Sequence, residues 1–593
     1  MKRIISLLIV VLILAPMTPA SAVSAGSQLA PPPKISFNQS PPLVLQSPSE
    51  GSGGSPATYW SWQDYVFKVP DVEPTVVSVF VNEEFASSGF KPVYRIVDVP
   101  EGEWQLILIR IDGLIYDPEF GRPVQYDRPL WVFIDGVPVV WGSTAQRFNW
   151  TVMGDITMFY PLFEDGLINV SMILPNWVVP QIGVTGRFLV NLTIYLYPGE
   201  KPEEVPDDVI PLWMDTWKQG LAVSQLTRTD PNVSSTISVP LNTYKARLVL
   251  FTEGLAYDEF WYYYGAGYRE VKIYFDDTLA ALIHPYHYIY TGGLMPFLWR
   301  PIPAVKTYLT EPVMIDLTGL LPLIVGERNV TMEVTNIFAT SRWIMGGALL
   351  VWLAEGNVSF TLLEYETSYD SFNSTKEEEG YTEYRAGSSF NLTASSEITV
   401  NGEKVVATTT LVSILEVARK FNDIWDNATV NMYRASATDI YSGNVKVYSW
   451  SNSWDAPLSV KYGLEITVEG DISQATVDNP VPGEFSIEIH LSQGLSSMTV
   501  IETRDDKRVI ESKESVEAFN VVAGTLIFIS PTGAVITGIT QVSATTFKQA
   551  KGLDLALGPD GLSLWMYTRN TRALTTLYSL YNIVYDSISM VDI

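Results

Sequence analysis

Apolar positions along this chain recur in alternation over short runs, and the runs stop at Gly, Pro, Asn or Asp. Thr, Val, Ile, Tyr and Trp fill them, residues that suit a pleated, half-buried strand. Residues 130–134 lead into Asp135-Gly136, and 271–275 into Asp276-Asp277, each a predicted buried hairpin. Residues 397–400, 405–411, 445–450, 458–468 and 485–491 are further predicted strands, and 375–381 reads as a charged turn. Helical spacing is confined to residues 412–425, whose simplest role is core packing.

One stretch of the pattern occurs twice. Residues 109–135 align on 250–276 without gaps at a constant offset of 141, bringing Gly113-Leu114 onto Gly254-Leu255. Tyr116-Asp117 falls on Tyr257-Asp258, Arg128 on Arg269, and Asp135 on Asp276. The match resumes at Asp155-Ile156-Thr157 against Asp316-Leu317-Thr318, and again at Asn169-Val170-Ser171-Met172 against Asn329-Val330-Thr331-Met332. From the hairpin to this Asp there are 20 residues in the first copy and 40 in the second, the excess including the aromatic stretch 284–303. Loops of that length are rarely mere connectors.

The predicted fold is therefore all-β, with two tandem jelly-roll sandwiches packed side by side and a C-terminal β-rich region. The predicted boundaries are a signal peptide at 1–22, a Pro/Ser/Gly-rich flexible linker at 23–58, a first jelly roll at 59–200 and a second at 208–357. Residues 358–593 form one or more C-terminal β-rich domains, and the Pro- and acid-rich residues 201–211 join the two copies.

The signal peptide is read from Lys2-Arg3, an apolar run over 4–15 and the small residues Ala20-Ser21-Ala22. That run is shorter than the ~20 residues that span a bilayer, so a secreted or cell-surface protein with no stable span in the mature chain is expected. Ten Asn-x-Ser/Thr sites, at Asn38, Asn149, Asn169, Asn191, Asn232, Asn329, Asn357, Asn373, Asn391 and Asn427, agree with an exterior glycoprotein. There is no cysteine, which excludes thiol nucleophiles and thiolate metal sites. The net charge of −27 repels phosphates and argues against a nucleic-acid partner. It also raises the expectation of an acidic external medium, where protonation relieves self-repulsion.

The repeat sorts the acidic residues. Those shared by both copies, Asp117/Asp258 and Asp155/Asp316, are most economically scaffold, as is the pair Arg128/Arg269. Carboxylates held by one copy need another explanation: Asp127 faces Tyr268 in the alignment, and Glu259 faces Pro118. These two are the catalytic candidates, one from each copy. Glu259 lies within Asp258-Glu259-Phe260-Trp261-Tyr262, where acids sit among aromatic faces suited to sugars in a chain only 17% charged.

Several segments resemble the peptide:N-glycanase A family, amidases that remove N-linked glycans from asparagine. They are Gln125-Tyr126-Asp127-Arg128, Gly142-Ser143-Thr144-Ala145, Asp258 to Tyr262, Arg269-Glu270-Val271, Tyr290-Thr291-Gly292-Gly293, Leu298-Trp299-Arg300-Pro301-Ile302 and Trp343…Leu349-Leu350…Trp352-Leu353. The resemblance implies paired eight-stranded jelly rolls, an active site at or near their interface, and no metal or other cofactor. Bacterial F-type relatives carry an Asp-Arg pair, a Glu beside an aromatic residue and a Trp/Arg group, which map onto Asp127-Arg128, Glu259 near Trp261, and Trp299-Arg300. In that reading Asp127 is the principal acid–base residue and Glu259 orients water or binds the first sugar. Arg128 and Arg300 polarise the carbonyl or keep Asp127 charged, while Trp261 and Trp299 stack on the N-acetylglucosamine core. The expected substrates are N-glycosylated peptides or proteins.

Three other readings compete. A non-catalytic glycan-binding or adhesion protein would use the same sandwiches, and a glycoside hydrolase would use two carboxylates. A copper oxygenase would need more than His284, His287 and His490.

Overall fold

The computed structural model describes residues 60–62, 68–117, 125–144, 149–164, 166–264, 268–285, 305, 308–422, 424–531, 533–559, 561–576 and 582–592. The expected signal peptide, the whole of the first linker, Trp299-Arg300, His287 and most of the aromatic insertion lie outside the described residues.

The first nine strands are β1 (Trp60–Trp62), β2 (Thr75–Phe85), β3 (Val93–Asp98), β4 (Trp104–Tyr116), β5 (Pro129–Ile134), β6 (Val137–Ser143), β7 (Asn149–Asp155), β8 (Leu167–Ile173) and β9 (Arg187–Pro198). They form two facing sheets, β7-β4-β9-β2 with β1 on its edge and β6-β5-β8-β3. Chain order running through these two sheets is the jelly-roll connection.

The next ten are β10 (Asp208–Leu212), β11 (Val223–Thr227), β12 (Asn232–Val239), β13 (Thr243–Leu255), β14 (Val271–Phe275), β15 (Thr278–Ile283), β16 (Leu309–Thr310), β17 (Val313–Asp316), β18 (Gly326–Val334) and β19 (Arg342–Leu353). The same order returns: β19-β13-β17 with β10 and β11 along one edge, facing β12-β18-β14-β15.

The repeat extends to hydrogen bonds. Asp135 and Asp276 both adopt φ of 49° at their hairpin turns. Their carboxylates accept the amides of Asn169 (2.9 Å) and Asn329 (3.0 Å). Asp155 and Asp316 each accept the amide of the Thr two residues on, at 2.9 Å in both copies. These acids organise turns.

β13 and β19 are buried on both faces, which is why they read as continuous apolar runs rather than alternating ones. Leu248, Leu250, Met345 and Leu349 point into the second sandwich. Val249, Phe251, Ile344, Ala348, Leu350 and Trp352 point the other way, into a core shared with Trp131 and Trp141 of the first. Trp141 stacks on Phe251 with ring centroids 5.4 Å apart. The two jelly rolls thus share an apolar interface. β16, which follows the insertion, extends the first sandwich by pairing Leu309 with Gly142 and Thr310 with Trp141. A Cβ on Gly142 would lie 2.0 Å from the Tyr308 carbonyl oxygen, so glycine is required there.

The remaining strands are β20 (Val358–Glu378), β21 (Tyr381–Val400), β22 (Glu403–Phe421), β23 (Trp425–Ser442), β24 (Val445–Asp455), β25 (Leu458–Val468), β26 (Val481–Thr503), β27 (Lys507–Ser530), β28 (Gly533–Gly558), β29 (Gly561–Thr576) and β30 (Asn582–Asp592). They make one long antiparallel sheet, with β25 bridging β23 and β26. Its apolar face merges with the second sandwich's core. The helix expected over 412–425 is absent: residues 412–421 complete β22 and Trp425 opens β23. Leu411, Leu415 and Val417 satisfy a two-residue period as well as a helical one, and pairing on both sides decides for the strand.

Candidate active site

Loops at one end of the first sandwich meet the second sandwich where their shared core opens to solvent. Gln125 fixes the segment before β5. Its side-chain amide donates to the carbonyls of Trp177 (3.2 Å) and Gly186 (3.0 Å). Its oxygen accepts the Tyr126 amide (2.9 Å) and the Arg128 Nη2 (2.7 Å). Thr144 grips Arg128 from the other side: its hydroxyl accepts the Arg128 amide at 3.0 Å, and its amide donates to the Arg128 carbonyl at 2.9 Å. Asp127 is held between these anchors, half-buried. Nearby, the Asn176 side chain donates to the carbonyls of Phe85 and Gly186 and so steadies the turn carrying Trp177.

The second sandwich supplies two acids. Glu253 lies on the interface face of β13, two residues beyond Phe251, and is 4% exposed. The indole Nε1 of Trp131 donates to it at 2.6 Å. Glu259 follows on a short turn after β13. Its carboxyl is pushed well above the usual carboxylate range, first by burial and then by the negative charges of Asp127 and Glu253. Carboxyl groups from both domains therefore act on Glu259. Among the described residues, no three His, Asp or Glu side chains are arranged to hold a metal ion.

Aromatic rings wall this cluster. Phe90 contacts Trp131 (6.0 Å), Trp177 (5.5 Å) and Trp217 (5.5 Å). Arg128 lies over Trp177 at 5.1 Å and over Tyr126 at 5.8 Å. Burial lowers its guanidinium pKa, an effect that Asp127 partly offsets. Trp177, 41% exposed, offers an open ring edge to solvent.

The structure brings Asp127, Arg128 and Glu259 together and separates Trp261 from them. Trp261, expected as a stacking face, is 2% exposed and packs within the second sandwich's core, edge-on to Tyr262 at 5.8 Å. Neighbouring turn residues point in different directions, and Glu259 is within electrostatic reach of Asp127 in the first domain. Asp258 turns inward to bind Arg269 through Nη2 (2.8 Å) and Nε (3.2 Å), and it accepts Trp343 Nε1 at 2.7 Å. Arg269 is thus scaffold, whereas its repeat counterpart Arg128 lies against the open aromatic wall. Sequence reasoning missed Glu253 because the repeat sets it opposite Asp112, also an acid. Asp112 has a separate structural role, bound to Arg110 and Thr151. The available signal was a carboxylate on the buried parity of an apolar strand. Phe90, Trp177 and Trp217 carried no such signal.

Two jelly rolls with a carboxylate cluster and an aromatic wall at their junction define a class of interdomain, acid-lined sites. The family model described as peptide N-acetyl-beta-D-glucosaminyl asparaginase amidase A matches residues 67–368, and the chain belongs to that family. A curated relative from Prunus dulcis, peptide-N4-(N-acetyl-beta-glucosaminyl)asparagine amidase A, is 27% identical over 270 residues. That alignment covers 39% of this chain and 46% of the relative, so the chain spans about half the length of the protein it matches. Among solved structures, PNGF-II aligns with a TM-score of 0.37 at 16% identity, covering 48% of this chain and 66% of that one. Recombinant peptide:N-glycanase F aligns with a TM-score of 0.34 at 12% identity, covering 47% and 96%.

Proposed function

We propose that the chain is an exported amidase that hydrolyses the bond between N-acetylglucosamine and asparagine in N-glycosylated peptides or proteins. Family membership supports the reaction class. The feature that carries the proposal is the convergence of Asp127 and Glu253, one from each domain, on Glu259 beside an aromatic wall.

Asp127 takes a proton from a water that attacks the carboxamide carbon. A C–O bond forms and the carbonyl electrons move onto oxygen. Glu259, kept protonated by its surroundings, donates a hydrogen bond to that oxyanion or to the departing nitrogen, and Arg128 adds positive charge. The C–N bond then breaks as the proton held by Asp127 passes to the nitrogen, which leaves as a neutral glycosylamine, and the peptide keeps an aspartate. Glu253 holds negative charge behind Glu259 and fixes Trp131. The apolar run over 4–15 supports export through a signal peptide.

Incubation with a defined glycopeptide and weighing of the peptide tests the reading. Asn-to-Asp conversion raises the deglycosylated mass by about one unit, whereas a glycoside hydrolase leaves one sugar behind and a binding protein leaves the substrate intact. Asp127→Asn should abolish release, by ~10²–10⁴-fold or more, with little change in thermal unfolding. Full activity in that variant would remove Asp127 from the mechanism.

A further inference from the structure

Resting on the amidase reading, we propose that the groove selects glycans that carry an anionic sugar, one bearing a carboxylate or sulfate group. Three cations lie along the aromatic wall. Arg128 covers Trp177 at 5.1 Å, Lys218 Nζ covers Trp217 at 4.4 Å, and Arg342 covers Phe90 at 5.9 Å. Phe90 touches both tryptophans at 5.5 Å, so all three cations belong to one connected surface. Arg342 is exposed and opens β19 on its interface-facing side, and Lys218 is half-buried on the loop between β10 and β11.

The chain holds 65 acidic residues against 38 Lys and Arg, so a cation without an acid is unexpected. Three buried cations elsewhere find one: Arg269 binds Asp258 at 2.8 Å, Arg247 lies 3.6 Å from Asp316, and Lys548 lies 3.2 Å from Glu514. Among the described residues, no carboxylate forms an ion pair with Arg128, Lys218 or Arg342, although the charge of Asp127 reaches Arg128. A cation over a ring face is favourable, and apart from the Arg128 Nη2 bond to Gln125 the side chains of Arg128, Lys218 and Arg342 make no hydrogen bond among the described residues. A neutral sugar can use the rings alone. An acidic one also satisfies the remaining N–H donors with charge-assisted bonds, which are roughly twice as strong as neutral ones. Partial burial lowers the Lys218 ammonium pKa, and a bound anion would reverse that shift.

The test uses the full chain and a chitobiose-linked glycopeptide, with and without a 6-O-sulfate on one N-acetylglucosamine. Binding is read from tryptophan fluorescence, separately from cleavage. The sulfated form should bind at least about fivefold more tightly at low ionic strength, and added salt should shrink the advantage. In the Lys218→Gln/Arg342→Gln double variant the ratio should fall to about one, while Arg342→Lys should keep most of it. Equal binding of the two glycopeptides, or an unchanged ratio in the double variant, would overturn the proposal. So would a gain that follows aspartates placed in the peptide rather than the sulfate on the sugar. Cleavage of both glycopeptides without a binding preference would sink this inference and leave the amidase reading standing. Preferential binding with no Asn-to-Asp conversion would do the reverse.

Discussion

Glu259→Gln isolates the electrostatics of the site. In the folded chain, burial and the charges of Asp127 and Glu253 hold the Glu259 carboxyl well above its ordinary value of 4.5. The unfolded chain has no such surroundings. Between pH 4.5 and the folded pKa the native state therefore binds more protons than the unfolded state, and stability falls as pH rises. At pH 7 the cost has a ceiling of about 3 kcal/mol, set by 1.36 kcal/mol per pH unit above 4.5. Glutamine keeps the shape and removes the titration. Its effect on thermal unfolding should be small or destabilising at pH 4 and turn stabilising by pH 8, with each kcal/mol worth roughly 2–4 °C for a domain of this size. Glycan release should drop by ~10²-fold or more across the whole pH range. A stability difference between wild type and variant that is the same at pH 4 and pH 8 would refute the claim that Glu259 is held protonated.

Glu253→Gln removes one of the two charges that raise Glu259, so the alkaline limb of the pH–rate profile should move to lower pH; an unmoved limb would show that Glu253 does not reach Glu259. Gly142→Ala puts a methyl group against the Tyr308 carbonyl and should cost about 1–3 kcal/mol, seen as a lower unfolding temperature for the paired jelly rolls. His284 is buried between Ser413 (2.9 Å) and Ser388 (2.7 Å), and its imidazole pKa is lowered to about 3 by burial and by Arg434. The unfolded chain takes up that proton first, so this residue contributes stability above pH 6.5 that is lost as pH falls toward 3, with a slope of up to about 1.4 kcal/mol per pH unit. Denaturant midpoints should show a shallower acid dependence in His284→Gln. Acid thus opposes the fold at His284 and favours it at Glu259.

The two sandwiches were legible because a strand's burial is written in local alternation and because the chain repeats itself. The shared turns at Asp155 and Asp316 need only the Thr two residues on, while Asp135 and Asp276 each reach an Asn on a neighbouring strand that the repeat also carries, so equal residues gave equal geometry. The stretch 412–425 was misread because its apolar positions fit two periods, and only pairing with β21 and β23 distinguishes them.

At the site, sequence alone picked out Asp127 and Glu259 as acids present in one copy, with a family resemblance attached. It could not say which side of a turn faces the other domain, so Trp261 was taken for the wall and proved to be core. Glu253, Phe90, Trp177, the adjacent pair Trp217-Lys218, and Arg342 come from separate strands and loops with no common spacing. They meet only because β13 and β19 bury both faces and bring the second domain's edge against loops of the first. Local pattern is a property of the chain; convergence across an interface is a property of packing.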